Sequence, residues 1–484
     1  MRSKCILEVF VEDQYPFFKE NFALRKEEIG VFCIDKFEEN VLLLEPYEAL
    51  VLSLSNGQNT GKEICSFIAE GFQIPSDESV NLVSSFYSKY SNLVEMNSTL
   101  KTRTRQVDPF QFIYNANPEG ISMPTISKMG FPTYSGPLVL VLGLTRECNM
   151  FCKYCYKGKP RTGKADLSTE QVMNVIDQAK ELGVCRAFVT GGEPTLKNDF
   201  IRIVEHIIKC EIFPYISTNA LYMSKKIISE LRDAKIEFIQ VSFDASRADI
   251  LEDICGVKDA YGRVVANLTE IIKAGINVRT KAVITKKNVD YIEEYVRFCY
   301  ELGVEHVGFS TFFPGSEGYR NDEELLVPTC MFESLHALTH RLQDEYDGKM
   351  FVEEIVLHRE WNSKSNISLC GGGVQSIGVF ADGNIHICDL LEDSEELSLG
   401  NIKEISLKDA WLSEKARRLR NFDPNLAPEP CRSCEIIKYC RTGCYSFSKT
   451  CYGNMYSPDP RCPRAPKLSR DYPIIQSSNT DFTH

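Results

Sequence analysis

The stretch Leu138-Val-Leu-Val-Leu-Gly-Leu-Thr145-Arg-Glu-Cys148-Asn-Met-Phe-Cys152-Lys-Tyr-Cys155 holds two signals side by side. Leu138–Thr145 is an apolar run with the length of a buried strand. Three cysteines then follow at C-x3-C-x2-C, on the loop that leaves the strand. Working outward, strand and helix patterns alternate as far as residue 310. The further strands read Arg186–Thr190, Pro214–Thr218, Glu237–Phe243, Asn277–Ile284 and His306–Ser310, with helical patterns such as Thr169–Leu182 and Tyr291–Leu302 in the gaps. Six β/α units of about 30 residues predict an α/β domain, a partial (β/α)6 barrel with parallel strands. Reactive residues in such barrels gather at the carboxyl ends of the strands.

The cysteine loop sits at the first such end. Three thiolates can hold three irons of a four-iron cubane and leave the last iron open, as catalysis needs. A structural zinc knuckle would require a fourth ligand, and no histidine or further cysteine lies close in sequence. The second strand ends in Gly191-Gly192-Glu193-Pro194. Two glycines allow close backbone approach to a ligand, and a carboxylate can pair with an ammonium. Ser217 and Asn219 end the third strand, and Ser242 and Asp244 the fourth. Ordinary strand-end capping is the competing reading for these four.

A second cysteine pattern begins at Cys370. Twelve residues lead to Gly383, four more to Cys388, and then come Cys431-x2-Cys434-x5-Cys440-x3-Cys444 and Cys462. Paired CxxC units also build zinc ribbons. Asp389, directly after Cys388, is either a candidate base or a solvated loop carboxylate.

Composition narrows the field. The chain has 484 residues, 43% hydrophobic and 25% charged, with a formal charge of -12. That sign excludes a nucleic-acid backbone as the main partner. No run reaches the roughly 18–20 apolar residues that span a bilayer, and the N-terminus lacks a signal-peptide core. A cytoplasmic protein is expected. Nineteen cysteines in such a chain point to metal or catalysis over disulfides. Ten belong to the two patterns above. Single ones such as Cys65, Cys185, Cys210 and Cys299 read as small buried hydrophobes.

Residues 1–98 read as a winged-helix-like α+β unit. A hairpin, Val31–Ile34 and Val41–Leu44, is followed by a helix over Pro46–Leu54 and a capping box at Thr60–Glu63 that opens a second helix. Asp77–Val94 is a third amphipathic segment. From Glu27 to Met96 twelve acidic residues face three lysines, the wrong sign for a DNA-binding winged helix. Residues 99–135, with Lys101, Arg103 and Arg105, read as a linker. The barrel domain follows over 136–315, a bridge over 316–365, a loop-rich cysteine domain over 366–470 and a polar tail over 471–484.

Cys148, Cys152 and Cys155, with Tyr154 before the third and Gly191–Pro194 about 36 residues later, resemble the radical S-adenosylmethionine (radical SAM) superfamily over residues 136–310. The resemblance implies a [4Fe–4S] cluster on the three cysteines. It also implies S-adenosyl-L-methionine held by Tyr154, Gly191, Gly192, Glu193, Ser217, Asn219, Ser242 and Asp244. The seven C-terminal cysteines resemble the SPASM domain, which binds two auxiliary clusters and brings the total to three [4Fe–4S] clusters. By position, Cys431, Cys434, Cys440 and Cys462 would complete one cluster, and Cys370, Cys388 and Cys444 would hold the other. Some members have a further cysteine where this chain has Lys364. Cys330 or Cys451 would substitute, or one iron stays open.

An acidic winged helix ahead of this pair resembles the recognition element for leader peptides of ribosomally made natural products. The expectation is a peptide maturase that makes cysteine thioethers, of the sactipeptide or ranthipeptide kind. Its partners would be a precursor peptide and a low-potential electron donor such as flavodoxin or ferredoxin, with no nucleic acid and no membrane. Carbon–carbon crosslinking, epimerisation or a sulfatase-maturase activity using Asp389 are the rivals. A cluster-bearing electron carrier or peptide scaffold is the non-enzymatic one, and it would have no use for a cofactor-ammonium site at Gly191–Pro194.

Overall fold

The computed structural model describes residues 13–27, 30–35, 41–102, 107–109, 134–158, 166–315, 321–328, 331–355, 370–391, 394–462 and 464–466. Arg103, Arg105, Cys330, Lys364, most of the expected linker, much of the bridge and the tail lie outside the described residues. The chain divides into two compact units, Met1–Ser135 and Gly136–His484.

In the first unit β1 (Tyr15–Phe18) pairs antiparallel with β5 (Val94–Asn97). The expected hairpin is present as β3 (Gly30–Asp35) and β4 (Val41–Leu44), and β2 (Phe22–Glu27) adds a third strand on β3. Charges in β2 concealed it from a hydrophobicity reading. Arg25 and Glu27 are buried as a pair 2.8 Å apart, and Glu27 also accepts the Ser135 N–H at 3.0 Å. Helix α1 (Pro46–Leu54) has the expected bounds. Helix α2 (Gly61–Phe72) opens on the expected box, with the Thr60 N–H donating to Glu63 at 2.7 Å and the Glu63 N–H to Thr60 Oγ1 at 3.2 Å. Helix α3 (Ser76–Lys89) is shorter than the expected Asp77–Val94. Val94 leaves the helical pattern because β1 supplies ladder partners from about 75 residues upstream. The helices and sheet close over Phe18, Leu44, Leu50, Ile64, Val83 and Leu93.

The second unit has one ten-stranded sheet. Its centre is the six expected strands, parallel and in chain order: β6 (Val139–Gly143), β7 (Arg186–Thr190), β8 (Phe213–Thr218), β9 (Phe238–Ser242), β10 (Asn277–Ile284) and β11 (His306–Thr311). Between them lie α4 (Thr169–Glu181), α5 (Phe200–Lys209), α6 (Lys225–Asp233), α7 (Ala248–Cys255), α8 (Ala260–Lys273) and α9 (Ile292–Leu302). In β10, Val278, Thr280, Ala282 and Ile284 are buried while Arg279 and Lys281 alternate with them, as a two-residue period requires.

Beyond the six, the sheet continues at both edges. Short β12 (Phe351–Val352) pairs with β11, and β13 (Ser376–Val379) runs parallel to β6. β14 (Asn384–His386) and β15 (Ser398–Asn401) follow antiparallel. The cysteine-rich region is thus anchored on the first barrel strand, where a loop-rich appendage was expected. Four residues with glycine among them carry too little pattern to announce β13. Glycine is needed there: a Cβ at Gly143 or Gly378 would lie 2.9 or 2.8 Å from the Phe380 ring.

Candidate active site and cluster sites

The loop after β6 is held from several sides. Thr145 Oγ1 donates to Asp166 at 2.6 Å, and Arg146 pairs with Asp382 at 2.6 Å. Phe151 and Lys153 donate their N–H groups to the Cys255 and Ile254 carbonyls of α7, each at 2.9 Å. The end of β7 docks on the same loop. Gly192 N–H donates to Thr145 O and Glu193 N–H to Glu147 O, both at 2.7 Å. A Cβ on Gly192 would lie 2.1 Å from Glu147 O, and one on Gly191 2.6 Å from Thr145 O. The two glycines therefore serve first to let the cysteine loop close on β7. That is a role inside the chain, in addition to the ligand approach expected of them.

Glu193 is buried and heavily bonded. Its Oε1 accepts from Thr195 N–H (3.1 Å), Thr195 Oγ1 (2.7 Å) and Thr218 Oγ1 (2.7 Å), and its Oε2 accepts the Asn219 N–H (2.7 Å). Burial nonetheless raises its pKa. Most of the carboxylate is thus committed to tying β7 to β8, leaving Oε2 the better placed of the two oxygens for an outside cation. Asn219 Nδ2 lies 2.7 Å from Asn149 Oδ1 and 3.8 Å from Cys148 Sγ. Asp244 accepts the Val283 N–H at 2.9 Å and the Tyr154 O–H at 2.7 Å, yet burial pushes its pKa up to about 6. Ser217 accepts from Gln240 at 3.0 Å, its ladder partner on β9, two residues before Ser242. Gly192, Glu193, Asn219 and Asp244 thus meet the cysteine loop at one end of the sheet.

Burial pushes the Cys148 thiol up to about 11, with Glu193 and Cys155 adding to it. Cys152 rises further through burial, Asp244, and the thiols of Cys155 and Cys148. Three converging half-buried thiols become thiolates together only where a cationic centre offsets their mutual repulsion. Asn149 Nδ2 is buried there without a protein hydrogen-bond acceptor of its own, a donor suited to the sulfur atoms of a cluster. The residues fit the group.

The C-terminal cysteines sort into two groups. Cys431, Cys434, Cys440 and Cys462 form one: burial pushes Cys431 up to about 12, with Cys462 and Cys434 adding to it, and Cys440 up to about 12, with Cys431 and Cys462 adding to it. Burial raises the Cys388 pKa, with Asp389, Cys444 and Cys370 adding to it, and burial takes Cys444 up to about 12. Ser446 Oγ donates to Cys388 Sγ at 3.2 Å, and the buried Thr442 and Ser448 hydroxyls have no protein partner, again the setting of a sulfide-bearing group. Asp459 stands between the groups. It accepts the Cys444 N–H at 2.9 Å and pairs with Arg461 at 2.6 Å, and a Cβ on Gly443 (φ +91°) would lie 2.5 Å from it. Sequence reading missed Asp459, Arg461 and Ser446 because none belongs to the cysteine spacing. Cys451 is buried within the helix Tyr445–Tyr452, near Cys444.

Asp389 is engaged. The Tyr156 O–H, one residue past Cys155, donates to Asp389 Oδ2 at 2.7 Å. Tyr156 also packs edge-on against Phe313, and Phe313 against Phe447. One hydrogen bond and an aromatic stack thereby link the first cysteine loop to the Cys388 neighbourhood. Among the described residues no helix is long and apolar enough to cross a membrane.

Comparison with known proteins agrees with this geometry. The Radical SAM superfamily profile matches residues 142–310, and that of SPASM, an iron–sulfur cluster-binding domain, matches residues 370–435. PqqA peptide cyclase of Rhizobium meliloti (strain 1021) is 26% identical over 352 residues, covering 72% of this chain and 93% of that protein. PqqA peptide cyclase of Gluconobacter oxydans (strain 621H) is 27% identical over 346 residues, covering 71% and 95%. The fold matches Streptococcus suis SuiB bound to S-adenosylmethionine with a TM-score of 0.69 at 20% identity, over 92% of this chain and 100% of that one. SuiB bound to its precursor peptide SuiA matches with a TM-score of 0.67 at 19% identity, over 92% and 98%. The chain is a radical SAM enzyme whose barrel domain is joined to a SPASM domain.

Proposed function

We propose that the protein modifies a ribosomally made precursor peptide, installing crosslinks of which cysteine thioethers are the favoured kind. The observation that carries this is the meeting of Cys148, Cys152 and Cys155 with Glu193, Asn219 and Asp244 at one end of a barrel, beside two more cysteine groups. The relatives act on, or are seen with, peptides: a PqqA peptide cyclase, and SuiB with its precursor SuiA. Cys148, Cys152 and Cys155 would hold a [4Fe–4S] cluster, with Cys431, Cys434, Cys440 and Cys462 around a second and Cys370, Cys388 and Cys444 around a third. When bound and reduced by a donor such as flavodoxin or ferredoxin, the first supplies the electron that cleaves S-adenosylmethionine and yields the hydrogen-abstracting radical.

The chain's own residues orient and enclose. Glu193 Oε2 would hold the methionine ammonium. Asn219 donates toward Cys148 Sγ at 3.8 Å, Asn149 Nδ2 would donate to a cluster sulfur, and Ser217, Ser242 and Asp244 would offer polar contacts to the rest of the cofactor. Asp389, which accepts the Tyr156 O–H, would take a proton from the substrate as the new bond forms. A thioether favours Cys370, Cys388 and Cys444 with their fourth position open to a substrate thiolate, which metal binding would activate.

The first unit suits a leader peptide. Among the described residues β4 has β3 as its one strand neighbour, and Leu42 on it is 38% exposed. An extended peptide could add there as a strand. The test is anaerobic incubation of reconstituted enzyme with S-adenosylmethionine, reductant and a cysteine-containing precursor. Loss of two hydrogen atoms per crosslink, with cysteine protected from alkylation, is expected. The Cys148/Cys152/Cys155→Ala variant should lose about four of about twelve irons and all cofactor cleavage. Product formation without protected cysteine would overturn the thioether reading.

A further inference from the structure

Far from the cysteine loops in sequence, Asp177 on α4 meets His206 and Cys210 on α5. His206 Nε2 lies 2.8 Å from Asp177 Oδ1, Cys210 Sγ lies 3.4 Å from the same oxygen, and Cys210 Sγ lies 3.8 Å from His206 Nε2. The three ligand atoms fall within 4.8 Å of one another. His206 and Cys210 are four residues apart, so they project from one face of α5. Cys210 was expected to be a small buried hydrophobe. It is buried, but its sulfur faces two polar ligand atoms.

We infer that Asp177, His206 and Cys210 form a site for a zinc-class divalent cation. A tetrahedral zinc with ordinary bond lengths sets its ligand atoms about 3.3–3.6 Å apart. The three separations straddle that range, so a side-chain adjustment of roughly half an ångström closes the shell. One nitrogen, one sulfur and one carboxylate oxygen make a borderline donor set, matched to zinc over magnesium or calcium. The position adds a separate argument. Cys210 is the C-cap of α5 and His206 lies in its last turn, where the carbonyl ends of the helix favour a cation. Burial and the Asp177 carboxylate raise the Cys210 pKa, against the smaller opposing pull of Lys180 and Lys209, so metal binding itself would displace the thiol proton to solvent. Asp177 is the outer ligand, its side chain 54% exposed against 18% for His206, so the fourth position opens to water.

Such a cation would staple α4 to α5, the helices on either side of β7 in the chain. That strand carries Gly191–Glu193, so the staple would stiffen the support of the cofactor-facing turn. The competing account is a hydrogen-bonded latch with no metal.

The test uses fully reconstituted enzyme, exposed to zinc chloride and desalted. About one zinc per chain is expected, with iron content unchanged, a raised thermal midpoint, and X-ray absorption showing one sulfur and two or three nitrogen or oxygen neighbours. Cys210→Ser and His206→Gln should lose the zinc and the thermal shift while retaining iron. Asp177→Asn keeps the latch but should weaken zinc binding. No retained zinc would overturn the site in favour of the latch. Equal zinc in wild type and in Cys210→Ser and His206→Gln would also overturn it, by placing the metal elsewhere.

Discussion

Replacing Gly192 with alanine tests whether the end of β7 and the cysteine loop are one unit. The added Cβ would sit 2.1 Å from Glu147 O, whereas ordinary contact begins at 3.4 Å, so loop and strand must part by about 1.3 Å. The atom it meets is backbone, held by the 2.7 Å bond from Glu193 N–H, and cannot swing aside. Overpacking of this kind costs about 1–3 kcal/mol, and a weakened hydrogen bond adds about 1 kcal/mol. At roughly 2 °C per kcal/mol for a unit of this size, the thermal midpoint should fall by about 4–8 °C. A displacement of about 1 Å at a reacting centre slows chemistry roughly 100-fold, so 5′-deoxyadenosine release should drop by that order while iron remains. Gly262→Ala, in α8 with nothing within 4 Å of the new Cβ, is the control and should gain up to about 1 kcal/mol. A Gly192→Ala enzyme with wild-type midpoint and cleavage rate would refute the reasoning.

Three further outcomes follow from the same geometry. The folded Asp244 carboxyl binds its proton more tightly than the usual 3.8, at about 6. Its contribution is therefore full below pH 4 and lost as pH rises to about 6. Denaturant unfolding of cluster-free wild type relative to Asp244→Asn should show a loss approaching 3 kcal/mol across that window, and parallel pH profiles would dismiss it. Cys451→Ala should keep wild-type iron and product, since Cys451 is buried in a helix; loss of about four irons would make it a ligand. A chain lacking residues 1–98 should bind leader peptide more weakly in a fluorescence titration yet still cleave S-adenosylmethionine, and unchanged affinity would remove the recognition role.

How much was legible in the sequence differs by kind of signal. Five of the six barrel strands appeared as short, mostly apolar runs because most of their residues are buried, and β10 appeared as an alternation of buried and polar residues. Pro46–Leu54 and the Thr60–Glu63 box were readable because capping and helix periodicity are local. Cys148, Cys152 and Cys155 announced themselves by spacing, since C-x3-C-x2-C on one loop is a local pattern. β2 was hidden because Arg25 and Glu27 neutralise each other only once folded. The end of α3 depended on β1, which claims Val94–Asn97 across the whole unit.

The sequence by itself determined the α/β barrel, the cysteine sets and the strand ends on which the polar residues stand, because these rest on local periodicity and fixed ligand spacing. Tertiary structure alone decided that β13 pairs with β6, that Glu193 ties β7 to β8, that Tyr156 reaches Asp389 and that Cys210 meets His206 and Asp177. Each of these joins groups from separate elements, and their distances are set by packing and hydrogen bonding, which no local pattern encodes.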